Sequence, residues 1–287
     1  MFHERGTGVF AIREAEQLNA EMTKLVIDAP DVAAKAQPGQ FVVLRACEGG
    51  ERIPLTICEA DTSAGTVTVI FQAVGASTMR LACLRSGEAL PTLAGPLGNP
   101  TDFGSARRVC VIGGGLGTAI AYPEARHLHA IGRHVDVIVG FRNAALVVLQ
   151  EELAACSEHL AVMTDDGSNG HRGFVTVALQ QAIDAGAGYD LVIAIGPPIM
   201  MKNVCAITKE AGIRTLVSLN PIMIDGTGMC GGCRVNIGGR YLHACVDGPD
   251  FDGHLVDWDE LMHRSVMYEE HEAQARAFLL RGEEAVR

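Results

Sequence analysis

The chain has 287 residues, of which 48% are hydrophobic, and this predicts two domains with cores of their own and a small appendage. The formal net charge of −11 and the 5% share of aromatic residues disfavour nucleic acid and anionic membrane surfaces as partners. The sequence has no uninterrupted apolar stretch of about 18 residues, so we expect no membrane span. The charged start MFHERGTGVF lacks a secretory apolar region, so we expect a cytoplasmic protein.

The first hundred residues predict an antiparallel β-barrel. Short apolar runs at 41–45 and 66–74 follow turn signals at Pro38-Gly39 and Ala64-Gly65. The one helix expected here is a short one around residues 77–84. We therefore place the first domain at residues 1–100.

From about residue 105, predicted strands alternate with predicted helices. The five strands are expected at residues 108–115, 134–142, 160–166, 189–198 and 214–220. The helices between them are expected at residues 118–131, 145–156, 176–186 and 200–212. This alternation predicts a parallel, doubly wound sheet with helices on both faces, which we place at residues 101–221.

The C-terminal part is different in composition. Residues 222–256 are rich in Gly and Asp and contain three clustered cysteines, whereas 257–287 are charged and predict a helical tail. The tail is either an arm on the body or a partner contact. The other six cysteines are scattered. The chain has nine cysteines in all, an odd number, and no predicted secretory signal. This predicts reduced thiols rather than a disulfide framework.

The clustered cysteines have the pattern Cys230-x2-Cys233-x11-Cys245. A Gly-Gly pair inside the C-x-x-C lets two thiolates face one metal centre, and backbone N–H groups freed by glycines stabilise a negative cluster. Three cysteines are one ligand short of a [2Fe–2S] site. Candidates for the fourth ligand are Asp225, His243 and Asp247. Structural zinc is the competing interpretation, although a zinc ribbon usually has two cysteine pairs or a histidine pair.

The segment from Asp225 to His254 resembles the cluster loop in the small subunit of electron-bifurcating NADH-dependent ferredoxin:NADP oxidoreductases. It is also similar to the electron-transfer subunit of dihydroorotate dehydrogenase, which carries Cys where this sequence has Asp225. Asp at that place is the pattern of the bifurcating enzyme. The likeness spans essentially the whole chain, and it implies a [2Fe–2S] cluster held by Asp225, Cys230, Cys233 and Cys245.

Two segments of the predicted barrel resemble the flavin motifs of the ferredoxin–NADP reductase superfamily and imply FAD. In the first, the match implies Thr56 near the reactive flavin nitrogen and Leu55 against the ring, with Pro54 before them. Arg52 is implied near the phosphates, although it comes one residue earlier than the superfamily spacing. Leu55 also replaces the usual aromatic residue.

The second segment is a Gly turn followed by two hydroxyls at a predicted helix start, which suits a pyrophosphate. It matches the phosphate-side motif of the superfamily at Gly75, Ser77 and Thr78.

A glycine loop between the first predicted strand and helix of the second domain predicts a dinucleotide site. Its candidate residues are Gly113, Gly115, Gly117 and Thr118. The strict G-x-G-x-x-G form is not met, so a generic Gly turn is the alternative. Two further strand ends face the same crevice. Arg142 follows the second strand, and Gly196, Pro197 and Met200 match the superfamily's G-P-x-x-M element beside the nicotinamide.

The third predicted strand ends at Asp165-Asp166. Two carboxylates would repel the 2′-phosphate of NADP(H), so the sequence favours NAD(H). Arg142 favours the opposite choice. A solvated acidic turn is the alternative interpretation of the two carboxylates.

The resemblance implies the electron-transfer subunit of a flavin-based oxidoreductase. Hydride would pass between NAD(H) and FAD, and electrons would then pass singly through the cluster to a partner. Because this is cofactor chemistry, no acid–base residue is assigned. The implied partner is a larger subunit with a second flavin and [4Fe–4S] clusters, related to the glutamate synthase small subunit. The alternatives are a subunit of dihydroorotate dehydrogenase or sulfide dehydrogenase type, and a zinc- or iron-binding regulatory module without catalysis.

Overall fold

The computed structural model describes residues 10–281, and these residues form two compact units. The first unit comprises 10–36, 41–97 and 266–281, and the second comprises 37–40 and 98–265. None of the nine cysteines, all of which lie among the described residues, forms a disulfide. No helix within 10–281 is long and apolar enough to cross a membrane.

The first unit is a seven-stranded antiparallel sheet that curls into a nearly closed barrel, as predicted. Its strand order is β6-β1-β2-β5-β4-β3-β7. The strands are β1 (Phe10–Gln17), β2 (Met22–Asp28), β3 (Phe41–Arg45), β4 (Ile53–Asp61), β5 (Thr66–Gln72), β6 (Ala89–Leu90) and β7 (Thr92–Leu97). Two short helices connect them, α1 (Pro30–Ala33) and α2 (Ala76–Ala82).

Alternation along the strands explains the barrel core. In β2, Leu25 and Ile27 are fully buried, and they pack with Leu44 and Phe71 from other strands. Side chains two residues apart on a strand share a face, so each strand contributes one apolar row to the core. The predicted helix around residues 77–84 is confirmed as α2, which buries Leu81.

The second unit is built on a six-stranded sheet of order β10-β9-β8-β11-β12-β15. The five predicted parallel strands are confirmed as β8 (Arg108–Gly114), β9 (His134–Phe141), β10 (His159–Thr164), β11 (Leu191–Ile195) and β12 (Arg214–Ser218). A sixth strand, β15 (Asp250–Asp252), pairs antiparallel with β12 and was not predicted. Three residues in a Gly- and Asp-rich segment carry no periodic signal from which a strand could be predicted.

Four helices follow the parallel strands: α3 (Gly117–Ala130), α4 (Gln150–Ala154), α5 (Val175–Asp184) and α6 (Pro198–Glu210). Three agree with the predicted helices within a few residues. The helix predicted at 145–156 was too long, because only a 3₁₀ turn at Ala144–Leu146 and the short α4 form there. Leu149 adopts a left-handed conformation with φ 57°, which separates the two pieces.

The cysteine-rich segment contains a hairpin and a short helix within the second unit. The hairpin pairs β13 (Arg234–Ile237) with β14 (Arg240–His243), and α7 (Ala244–Asp247) follows at once. The predicted helical tail forms two helices, α8 (Trp258–Ser265) in the second unit and α9 (Glu269–Leu280) in the first. The last part of that predicted tail, 282–287, and the first nine residues of the predicted barrel domain lie outside the described residues.

Candidate functional site

Two of the three clustered cysteines, Cys233 and Cys245, approach each other around the β13–β14 hairpin. Cys233 directly precedes β13, and Cys245 lies in α7, which follows β14. The hairpin therefore brings the two residues together, and their Sγ atoms lie 3.3 Å apart. Two thiolates on one tetrahedral metal, with bonds of about 2.3 Å, lie about 3.8 Å apart. The observed separation is close to that value, so these two sulfurs are placed to share one metal ion.

The third cysteine belongs to a tight glycine loop. The Gly232 N–H lies 3.4 Å from Cys230 Sγ and donates to it. Gly228 and Gly231 adopt left-handed conformations with φ 84° and 67°, which side chains rarely adopt. The Cys230 side chain is exposed, whereas Cys233 and Cys245 are buried.

Asp225 is the residue that the loop folds back upon. Its Oδ1 accepts a hydrogen bond from Thr227 N–H and its Oδ2 accepts one from Cys230 N–H, each at 2.8 Å. The Thr227 N–H, the Cys230 N–H and the Cys230 thiol lower the pKa of this carboxyl below its ordinary value, so it is ionised at neutral pH. An ionised oxygen donor thus lies beside Cys230, as the predicted fourth ligand requires.

The Cys245 thiol is protonated at neutral pH when no metal is present. Burial, together with the neighbouring Cys233, raises the pKa of Cys245 to about 12. Metal binding must displace this proton, because thiolates are the ligands of iron. The arrangement therefore has two pairs, Cys233 with Cys245 and Asp225 with Cys230, which fits the four ligand positions of a two-iron cluster.

The alternative fourth ligands occupy other places. The Asp247 carboxylate accepts a hydrogen bond from His243 N–H at 2.7 Å and thereby caps α7. The His243 ring lies near the loop, since a Cβ added at Gly231 would come 3.9 Å from its Nε2. Sequence reasoning overlooked Arg264 on α8, whose guanidinium donates to the Gly232 carbonyl at 3.1 Å. This contact anchors the C-x-x-C loop to the body of the second unit.

The predicted dinucleotide loop lies at the switch point of the parallel sheet. The first strand of the unit, β8, lies between β9 and β11, so the connections from β8 and β11 run in opposite directions. Open α/β sheets bind ligands at such a point, outside the carboxyl ends of the strands. Gly113 and Gly114 end β8, and Gly196 follows β11. The two glycine segments therefore meet at the same edge of the sheet.

Close backbone packing explains the glycines in this loop. A Cβ at Gly117 would come 2.1 Å from the Ile195 carbonyl oxygen, and one at Gly196 would come 3.1 Å from Gly114 Cα. Gly114 was not among the predicted site residues, and a Cβ added there would come 2.4 Å from Met200 Sδ. By contrast, a Cβ at Gly115 would meet no atom within 4 Å, and its φ of 55° favours glycine. The loop is thus held close to β11 and leaves open space at Gly115.

Thr118 lies inside this packing and is fully buried. Its N–H donates to the Gly115 carbonyl, and its hydroxyl is buried behind Gly113 without a hydrogen-bond partner. It supports the loop from within, and its predicted contact with a dinucleotide stays a prediction. Pro197 precedes α6, whose first turn contains Met200.

The remaining predicted nucleotide residues lie at the ends of β9 and β10. Arg142 and Asp165 are exposed, and Asp165 N–H donates to the Phe141 carbonyl. The Asp166 carboxylate accepts hydrogen bonds from the hydroxyl and N–H of Ser168, which lower its pKa. Asp166 therefore stabilises its own turn, while Asp165 presents its charge to solvent.

The predicted flavin residues of the barrel lie on β4 and α2. Pro54, Leu55 and Thr56 are half-buried in β4, and Leu55 packs against the barrel core. Arg52 is exposed just before the strand. Pro54, Leu55 and Thr56 share this strand, and the side chains of neighbouring residues in it point to opposite faces, so their predicted flavin contacts stay a prediction.

The phosphate-side residues use their hydroxyls within the protein. Thr78 Oγ1 accepts hydrogen bonds from the N–H groups of Val74 and Gly75 at 3.1 and 3.0 Å, and so caps α2. The Ser77 hydroxyl donates to the Glu51 carboxylate. A bound phosphate would have to compete with Glu51 for that hydroxyl.

Comparison with known proteins gives a consistent result. The iron–sulfur cluster binding domain of dihydroorotate dehydrogenase B matches residues 220–257. A homolog of the dihydroorotate dehydrogenase B electron transfer subunit from Thermotoga maritima is 40% identical, over 93% of this chain and 94% of its own length. An uncharacterized Clostridium beijerinckii protein from the adh 3′ region is 45% identical, over 93% of each chain.

Among solved structures, one from the NADH-dependent reduced ferredoxin-NADP oxidoreductase, described in the context of flavin-based electron bifurcation, is 38% identical. It superposes with a TM-score of 0.89 over 96% of this chain and 99% of that chain. The predicted resemblance and fold are therefore confirmed.

Proposed function

Because the chain belongs to the family of dihydroorotate dehydrogenase B electron transfer subunits, we propose that it exchanges electrons between NAD(H) and a partner subunit. The proposed enzyme is a flavin-dependent oxidoreductase of the ferredoxin:NADP transhydrogenase type. Its bound FAD supplies hydride exchange with the nicotinamide, and its [2Fe–2S] cluster supplies transfer of single electrons. The chain itself binds these groups and the partner.

The observation that carries the proposal is that one carboxylate and three thiols of the cluster segment form two adjacent pairs along the same loop and hairpin. Cys233 and Cys245 form one ligand pair at 3.3 Å, and Asp225 and Cys230 form the other through the folded loop. A single zinc ion would need four donors at one point. No cluster of three potential metal-binding groups that includes these cysteines has all its donor atoms within 4.8 Å among the described residues. Two separate pairs instead suit two irons.

The nucleotide loop supports NAD(H) as the electron donor or acceptor. The glycines at the ends of β8 and β11 bring two backbone segments to the switch point, where the pyrophosphate of a dinucleotide binds in such sheets. The exposed Asp165 at the end of β10 supports NAD(H) over NADP(H), since a carboxylate repels a 2′-phosphate.

The partner is proposed to be a larger subunit with a second flavin and [4Fe–4S] clusters. The exposed apolar side chains around the cluster loop support a docking role. Met229, next to Cys230, is 89% exposed, and Ile224 and Val246 are also exposed. Several exposed apolar side chains grouped around one loop are typical of a surface that a partner covers.

The first experiment is the visible spectrum and metal content of the anaerobically purified protein. Bound flavin absorbs near ~450 nm, and a [2Fe–2S] cluster adds a broad reddish absorption. We expect two irons per chain and bleaching of the flavin band by NADH. A colourless protein that contains zinc would refute the proposal and support the regulatory module.

A second experiment separates the two family types and tests the fourth ligand. Asp225→Cys is expected to keep the cluster but change its reduced EPR signal, since a thiolate replaces an oxygen donor. Asp247→Asn is the matched control, because Asp247 caps α7 and lies outside the proposed ligand set. An unchanged EPR signal in Asp225→Cys would exclude Asp225 as a ligand. Mass spectrometry of the subunit that co-purifies then distinguishes a transhydrogenase partner from a dihydroorotate dehydrogenase or sulfide dehydrogenase partner.

A further inference from the structure

A second group of possible metal ligands lies at the edge of the parallel sheet opposite the nucleotide loop. His134 begins β9 and His159 begins β10. Asp136 lies in β9 and pairs in register with His159. Because parallel strands begin at the same edge of a sheet, their register brings these three side chains together although they are far apart in sequence.

The three side chains have the spacing of metal ligands. Asp136 Oδ1 lies 3.2 Å from His134 Nε2 and 3.0 Å from His159 Nδ1. All three donor atoms lie within 4.8 Å of one another. A tetrahedral ion with bonds of about 2.0 Å places its ligands about 3.3 Å apart. The observed distances fit adjacent corners of such a site.

An unpartnered ring nitrogen of His134 also favours a bound ion. Its Nε2 is shielded from solvent and makes no hydrogen bond, although the Asp136 carboxylate lies next to it. An N–H on that atom therefore does not point at the oxygen. This nitrogen is therefore left without a partner inside the protein, and a bound ion would satisfy it. A buried imidazole nitrogen without a partner is otherwise costly.

The surrounding groups are those that commonly support histidine ligands. Glu158 Oε1 lies 3.7 Å from His134 Nδ1, so it favours the proton on Nδ1 and leaves Nε2 with its lone pair. The Tyr189 hydroxyl donates to Asp136 Oδ2 at 2.9 Å, which leaves Oδ1 as the oxygen that faces the two histidines. The carboxylates of Asp136 and Glu158 supply negative charge for a divalent cation.

A cationic residue, Arg108 on β8, pairs in register with His134. Asp190 accepts hydrogen bonds from the N–H groups of Arg107 and Arg108 at 2.9 Å each. These N–H groups, and then the charges of the two arginines, lower the pKa of Asp190. An ionised carboxylate therefore offsets the positive charge next to the cluster.

We propose that His134, Asp136 and His159 bind one Zn²⁺ ion that fastens the starts of β9 and β10 together, with water at its fourth position. Two imidazoles and a carboxylate are ligands that zinc accepts readily. The fourth position is open because His159 is largely exposed, with 78% of its side chain accessible. The site is separate from the cysteine loop and independent of the proposed electron transfer.

The test uses the holoprotein with its iron content verified, so that zinc cannot occupy the cysteine site. The protein is incubated with Zn²⁺ and freed of excess metal, and zinc per chain is then measured. We expect one zinc per wild-type chain and at least a tenfold loss of zinc affinity in His159→Ala. His129→Ala is the matched control, because His129 is also exposed and lies outside the cluster. Its zinc binding should equal that of the wild type.

Thermal unfolding gives an independent readout. Zn²⁺ should raise the Tm of wild type and of His129→Ala but not that of His159→Ala, because a ligand stabilises only the folded state that binds it. His159 is exposed, so its replacement should leave the fold intact without metal. The proposal is overturned if wild type binds no zinc, or if His159→Ala binds zinc as tightly as wild type and gains the same rise in Tm.

Discussion

Two carboxyl groups share one hydroxyl in the second unit, and their protonation should make its stability depend on pH. Thr101 Oγ1 lies 2.5 Å from Asp250 Oδ2 and 3.1 Å from Glu124 Oε1. A hydroxyl has one proton, so it can donate to only one of them, and the other must be protonated to donate in return. Glu124 is fully buried, and burial followed by the charge of Asp250 raises its pKa well above its ordinary value.

The pKa of Asp250 sets the magnitude. Burial raises it from 3.8 to about 6, although hydrogen bonds from Thr101 and Ser218 oppose the shift. Since the folded pKa is the higher one, this stabilising contribution is complete below 3.8 and is lost as pH rises through 6. Linkage gives a loss of about 2 kcal/mol at pH 5 and about 3 kcal/mol at pH 8. Asp250→Asn removes this titration.

The expected result is that the stability of Asp250→Asn relative to wild type increases by about 1 kcal/mol between pH 5 and pH 8. Urea unfolding of the protein with its cofactors, followed by the fluorescence of its single tryptophan, Trp258, measures this. Trp258 reports on the right region, because its Nε1 donates to the carbonyl of Gly253, which follows β15. Glu210→Gln, at an exposed position at the end of α6, is the control. Parallel pH profiles for Asp250→Asn and wild type would refute the reasoning.

Three further predictions concern the candidate sites. Gly117→Ala places a Cβ 2.1 Å from the Ile195 carbonyl oxygen, so we expect the free energy of unfolding to fall by about 1–3 kcal/mol. Flavin reduction by NADH should also be slower in stopped-flow assays, and an unchanged rate would contradict the assigned loop. Arg264→Ala removes the hydrogen bond to the Gly232 carbonyl, worth about 1 kcal/mol, and should shorten the lifetime of the cluster absorbance in air, while the rate of flavin reduction stays the same. Asp165→Asn removes an exposed negative charge and should raise the rate with NADPH relative to NADH by about tenfold, equivalent to about 1.4 kcal/mol; an unchanged ratio would remove Asp165 from nucleotide selection.

The sequence by itself determined the local elements and the chemistry of the cluster loop. The short apolar run at 66–74 after a turn signal predicted β5, and the apolar run before Gly113 predicted β8, because strand length and turn signals are local properties. The spacing of Cys230 and Cys233 likewise predicts a metal-binding loop from local sequence alone. The helix at 145–156 was the exception, since the left-handed Leu149 interrupts an apolar pattern that looks continuous.

Only the tertiary structure decided which distant residues meet. The strand order places Gly114 beside Gly196, and no local pattern contains that adjacency. The register between β9 and β10 likewise joins Asp136 to His159, and the edge strand β15 brings Asp250 to Thr101. These contacts depend on strand pairing between segments far apart in the chain, whose choice is settled by burial and backbone hydrogen bonding over the whole sheet rather than by any single segment.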